Sequence, residues 1–264
     1  MGRRLELAQK QKYPADSRSA QLHEGKPIKL RTSLQPQTTT QGFYKEALET
    51  GDLTIGTGPA GSGKTFCATA VGVKKLLDGE VQRLVFTRPI VEAGEELGFL
   101  PGTFEEKISP YLLPMLDALQ DLVGPTMAKK LLDDKKIEFA PLAYMRGRTF
   151  NNCYVILDEA QNTTITQMKL FITRIGSYSQ FVVNGDVTQS DLRGVPENGL
   201  EWVVRKLRGK SPNINVIEFG HSDVVRSEIV KTILLHLDAP DEKPMMRNDR
   251  RHSFNEPAAL MRTA

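Results

Sequence analysis

The run GPAGSGKT, residues 58–65, gathers glycines around one lysine and one hydroxyl residue, and each residue type has a task beside a phosphate. Gly58, Gly61 and Gly63 let the backbone curl until its N–H groups face inward at phosphate oxygens, with Pro59, Ala60 and Ser62 supplying the chain between them. A helix opening near Lys64 adds its positive end. Lys64 then places a point charge on β/γ oxygens, and Thr65 offers a hydroxyl to Mg²⁺. The run fits G-x-x-x-x-G-K-[ST] in full, follows an apolar strand and opens a helix, which sets it apart from a glycine-rich turn of no consequence. It is read as a nucleoside triphosphate loop, with Lys64 also acting in catalysis.

Two further stretches carry chemistry. YVILDEAQN (154–162) is an apolar strand ending in two acids, at the edge where open α/β sheets bind ligands. Asp158 is suited to hold Mg²⁺ through water, and Glu159 to orient and deprotonate an attacking water. Alone, the pair could equally be a helix N-cap. Joined to a phosphate loop 94 residues earlier, the metal-and-base reading gains weight. VVNGDVTQSD (182–191) is a second strand running into a polar loop. Gln189 carries both donor and acceptor, suited to sensing a γ-phosphate or aligning water, with Asp186 organising the loop. A plain Asn-Gly-Asp turn is the rival.

The elements that must position these groups alternate. Strand candidates are 53–57, 83–87, 137–140, 153–157, 180–184 and 215–219. Between and after them lie helical stretches at 64–78, 103–123, 126–134, 166–175, 197–208 and 226–237, with a short amphipathic helix in FYKEALETGD ahead of them. Short apolar strands separated by helices predict a three-layer α/β domain with a mainly parallel sheet over residues 36–240. Residues 1–35, polar and with eight Lys/Arg against three Asp/Glu, read as a basic arm of net charge +5, and 241–264 as a tail. Such an arm could hold an anionic polymer or be a solvated end. With 39% hydrophobic and 25% charged residues the composition is that of a globular protein. There is no apolar run of membrane-spanning length, no signal-peptide core and no myristoylation pattern, so a cytoplasmic location away from membranes is expected. Cys67 and Cys153 sit in apolar company and read as core thiols.

Several segments together resemble the PhoH family: TIGTGPAGSGKT, VFTRPIVEAGEELGFLPGTFEEKISPYLLP, APLAYMRGRTF, VILDEAQNTTITQMKLFITRIG, NGDVTQSDL and HSDVVRSEIV, spread over roughly residues 36–237. The resemblance implies an ATPase with a RecA-like P-loop core, similar to one half of a superfamily 1 helicase, associated with RNA or single-stranded nucleic acid and assembled as a ring-shaped homo-oligomer. By position, Gln41 resembles the glutamine that reads adenine ahead of the loop, with Gln35 and Gln37 as rivals. Arg226 resembles the family's candidate arginine finger, expected to complete a neighbouring subunit's site. Thr87, Arg88 and Glu92 resemble the segment helicases place near nucleic acid, and Arg146 and Arg148 mark the RGRT loop. Each of these arginines could instead serve a salt bridge. Only about 35 residues precede the core, so the nuclease-like domain of one branch of the family has no counterpart here and no nuclease function is expected.

Other readings differ in what they need. A GTPase requires a base-reading Asn-Lys-x-Asp element, which is absent. A small-molecule kinase also joins a phosphate loop to acids, but has little use for Glu159 as a water base or for Gln189. A nucleotide-gated binding or assembly module would bind ATP without turnover.

Overall fold

Six short runs rich in β-branched and aliphatic residues become the strands β1 (Leu53–Thr57), β2 (Arg83–Thr87), β3 (Ile137–Phe139), β4 (Cys153–Leu157), β5 (Gln180–Gly185) and β6 (Ile214–Glu218). The computed structural model describes residues 30–31, 34–89, 104–192, 194–225 and 229–230. The chain divides into two compact units, residues 1–225 and 226–264, and the sheet belongs to the first. Of the second, only Ile229 and Val230 are described, so the expected helix at 226–237, the C-terminal tail and most of the basic arm lie outside the described residues.

Among the described residues every strand pairing is parallel, in the order β3-β2-β4-β5-β1-β6. Parallel neighbours need crossovers. Among the described residues α1 (Thr39–Thr50) lies ahead of β1, and the crossovers run through α2 (Lys64–Leu77), α3 (Phe104–Val123), α4 (Pro125–Asp133), α5 (Ile165–Ile172) and α6 (Gly199–Leu207). Side chains alternate across the sheet, so β2, β4 and β5 each feed two cores. Tyr154, Ile156 and Val182 pack with residues of α1 to α4 on one face. Cys153, Val155, Phe181 and Val183 pack with Met168 and Phe171 of α5 and Leu200 and Val203 of α6 on the other. This is the expected three-layer α/β architecture, RecA-like in that another strand, β5, lies between the loop-bearing β1 and the acid-bearing β4.

Local chemistry moves several boundaries. α1 starts before FYKEALETGD because Thr38 caps it, accepting from the Gln41 N–H. α5 and α6 open with capping boxes, Thr164 with Gln167 and Asn198 with Glu201, so α6 begins after Asn198 rather than at 197. Leu30 and Leu34, inside the expected arm, pack against the first core. The Arg31 N–H donates to Leu122 O at 2.8 Å. Among the described residues no helix is long and apolar enough to cross a membrane.

Candidate functional site

The order of the strands decides what can meet. β1 and β4 stand two places apart with β5 between them, a separation of roughly 9–10 Å. The loop after β1, the acids after β4 and the polar loop after β5 therefore share one edge. They line a cleft of about 350 Å³, floored by Gly63, Lys64 and Thr65 and walled by Asp158, Glu159 and Gln189.

The 58–65 loop is built by its backbone. Gly58 takes φ +139°, Gly61 +82° and Gly63 +80°. At Gly58 a side chain is excluded twice, since a Cβ there would lie 2.3 Å from Phe219 O. The Gly58 N–H donates to Gly185 O at 3.1 Å. Gly63 caps α2 without a side chain, leaving the first N–H groups of that helix pointed into the cleft. Lys64 folds back over the loop and donates to Gly58 O at 2.7 Å, Pro59 O at 2.9 Å and Ser62 Oγ at 3.1 Å. Burial pulls its pKa below the usual lysine value against the opposing pull of Asp186, Asp158 and Glu159.

Two supports hold the loop from outside. Gln41 is buried, at 5% exposure. Its amide donates to Ser62 O at 3.0 Å and accepts the Gln37 N–H at 2.8 Å. The structure thus gives Gln41 a task in bracing the loop, which leaves one amide N–H and one lone pair for any base; Gln35 and Gln37 are exposed. The second support is the segment after β6, whose HSDVV run carries the family resemblance but whose contact with the loop the sequence does not show. Phe219 packs on Gly58 and edge-on to Tyr44, and the Val225 N–H donates to Gly61 O at 2.9 Å. Asp223 ties this segment back to α1. Burial raises its carboxyl, but the Gly220 N–H and the Thr38 and Thr40 side chains outweigh that and hold it below the usual value. Arg226 itself lies outside the described residues.

The acidic wall is built by side chains. Thr65 Oγ1 donates to Asp158 Oδ1 at 2.9 Å, joining the two motifs directly. Asp158 is pushed up to about 6 by burial and by the adjacent Glu159, with Thr65, Arg88 and Lys64 pulling the other way. A buried carboxylate short of positive charge, beside a hydroxyl, is a hard-oxygen pair that suits Mg²⁺. Among the described residues no cluster of three or more His, Cys, Asp or Glu could hold a metal by itself, so phosphate and water oxygens would complete the shell. Glu159 adopts a left-handed conformation, φ 53° and ψ 41°. It precedes a short 3-10 turn but makes no side-chain cap bond, so the simple capping reading does not describe it. Its carboxylate meets Arg88 Nη2 at 2.9 Å and accepts from Gln161 Nε2 at 2.6 Å. Gln161, which sequence reading passed over, also accepts the Asp186 N–H at 3.1 Å. Asp186 accepts from the Thr188 N–H and hydroxyl, and its carbonyl takes the Gln189 N–H, leaving Gln189 exposed at the mouth of the cleft.

The other singled-out residues scatter. Arg148 lies across Glu138 with two bonds and stacks 4.5 Å over Phe150, a structural pairing, while Arg146 is exposed. Thr87 is buried with its hydroxyl unpaired at the end of β2, and Glu92 lies outside the described residues. Cys67 and Cys153 are buried, burial pushing the Cys67 thiol up to about 11.

A family model described as PhoH-like protein matches residues 33–238. A PhoH-like protein of Mycobacterium tuberculosis is 49% identical over 202 residues, 76% of this chain and 57% of that protein. A PhoH-like protein of Bacillus subtilis is 47% identical over 202 residues, 76% of this chain and 63% of the relative. Protein PhoH of Escherichia coli is 43% identical over 197 residues, 74% and 55% respectively. The chain therefore spans little more than half the length of these relatives. Among solved structures, the large terminase of the thermophilic bacteriophage D6E overlaps at a TM-score of 0.49 with 12% identity, covering 77% of this chain and 50% of that one.

Proposed function

The chain belongs to the PhoH-like family, and from that premise we propose that it binds ATP with Mg²⁺ and hydrolyses it to ADP and phosphate. The observation that carries this reading is the 2.9 Å bond between Thr65 and Asp158, which brings two motifs far apart in sequence to one point. Thr65 and Asp158 would hold Mg²⁺ there. When bound, the metal neutralises charge on the phosphates. Lys64, now spending its ammonium donors on Gly58, Pro59 and Ser62, is placed to exchange them for β/γ-phosphate oxygens. The backbone N–H groups from Ala60 to Thr65 that face the cleft grip the same anion. Glu159, standing beside the metal ligand, takes a proton from the attacking water, and Gln189 at the mouth aligns that water or senses the γ-phosphate.

The assembly is proposed on less. Family membership supports a ring-shaped homo-oligomer in which Arg226 of one subunit reaches the γ-phosphate of the next, and the basic arm supports an association with RNA or another single-stranded nucleic acid, with helicase-like action depending on cooperating subunits. Adenine selection by Gln41 falls to the part of its amide that the loop does not use.

Steady-state phosphate release decides between turnover and a nucleotide-gated module. Release that requires Mg²⁺, stops with EDTA and is lost in Lys64→Ala is expected. ATP binding without release by the wild-type protein would assign the module instead.

A further inference from the structure

Both carboxylate oxygens of Glu159 are engaged by neighbours where it now stands. One carboxylate oxygen is 2.9 Å from Arg88 Nη2 and the other 2.6 Å from Gln161 Nε2. Gln161 is fixed, 2% exposed and bonded at its other end to the Asp186 backbone. Arg88 stands at the other oxygen. It follows the last residue of β2, its side chain is 22% exposed, and it lines the cleft together with Gly61, Lys64 and Thr65. An arginine lining a phosphate site is drawn to phosphoryl oxygens, which match its planar fork and carry more charge than one carboxylate.

We propose that Arg88 is a further catalytic residue, exchanged between two anions: it pairs with Glu159 while the cleft is empty and turns to the γ-phosphate when ATP enters. The exchange leaves Glu159 beside the metal ligand with an open oxygen for water, and leaves a positive charge where the transition state gathers negative charge. In the step that follows, the water oxygen forms a bond to the γ-phosphorus and the bond from that phosphorus to the β–γ bridging oxygen breaks. ADP leaves with the electron pair, and the water proton passes to Glu159. Opening of the ion pair is thereby tied to the presence of the third phosphate, so ADP leaves Glu159 clamped.

This inference rests on the ATPase reading, and two measurements keep the two apart. In the first, turnover and nucleotide affinity are compared for wild type, Arg88→Ala and Arg88→Lys. The alanine variant should lose about tenfold or more in kcat with KM changed much less, and lysine should recover part of it, because a charge near the γ-phosphate is needed rather than a bridge to Glu159. In the second, ATP and ADP affinities are measured by calorimetry in the Glu159→Gln background, where no turnover is required. Glu159→Gln should bind ATP more tightly than wild type, since the ion pair between Arg88 and Glu159 no longer has to be broken. Adding Arg88→Ala should shrink the preference for ATP over ADP by about tenfold, the size of one charge-assisted hydrogen bond. A wild type without turnover would defeat the ATPase reading, and the affinity measurement would still test Arg88. An unchanged or increased kcat in Arg88→Ala, or an ATP/ADP preference that ignores Arg88, would overturn the exchange.

Discussion

The two walls of the cleft are made differently. The phosphate loop is backbone: three glycines at positive φ, with the Ser62 and Gly61 carbonyls held by Gln41 and Val225. The acidic wall is side chain: a buried carboxylate raised by its surroundings, a left-handed Glu159, and a chain of bonds through Arg88, Gln161 and Asp186. A backbone site is rigid and tolerates little change of shape. A side-chain site can change partners during a cycle, at the cost of stability in the resting protein.

If that contrast is right, the largest effect on folding comes from the loop. Gly58→Ala should destabilise the protein by about 3 kcal/mol, since it puts a Cβ against Phe219 O in a conformation that disfavours side chains. Denaturant unfolding measures this directly, and an unshifted midpoint would mean the loop yields more than its geometry implies. Gln41→Ala comes next. Removing the donor to a buried carbonyl should weaken ATP and GTP binding by about tenfold, with a further loss for ATP that narrows its preference over GTP. Competition binding that shows the same ATP/GTP ratio as wild type would leave Gln41 its bracing role alone.

The acidic wall should answer in the opposite direction. Asp158 has its folded value raised to about 6 from 3.8, so its ionised form costs stability above pH 6. That cost fades as the pH falls from 6 toward 3.8. Asp158→Asn should therefore abolish turnover yet stabilise the metal-free protein at neutral pH by about 1 kcal/mol, a melting-point rise of about 2–4 °C. In the wild type, affinity for Mg²⁺-nucleotide should decline below pH 6, because the ligand must be deprotonated. A loss of stability in Asp158→Asn would show that the site is not strained. The smallest effect belongs to Arg148→Ala, away from the cleft. It should cost about 1 kcal/mol or less, given its partial exposure, and leave kcat untouched.

The same contrast explains what was legible in the sequence. The loop announces itself because glycine, lysine and threonine must fall at fixed spacing, and the sheet because fully buried strands read as short apolar runs. Asp158 and Glu159 were legible because they end such a run. Gln161, Phe219 and Asp223 were not: each acts through a partner distant in sequence, and nothing in a glutamine after an acid pair shows that it will also bond the Asp186 backbone. The task of Gln41 was hidden for the same reason, since its bond to Ser62 O spans 21 residues. Arg148 illustrates the reverse, a motif arginine whose visible work is to hold Glu138.

The claim that both walls act on one nucleotide is tested most directly by Glu159→Gln, with ATP binding and phosphate release measured on the same preparation. The account predicts that binding persists while release falls by about 10²-fold or more, because the loop still grips the phosphates and only the base is gone. Release at the wild-type rate would contradict it, and so would a loss of binding equal to that of Lys64→Ala.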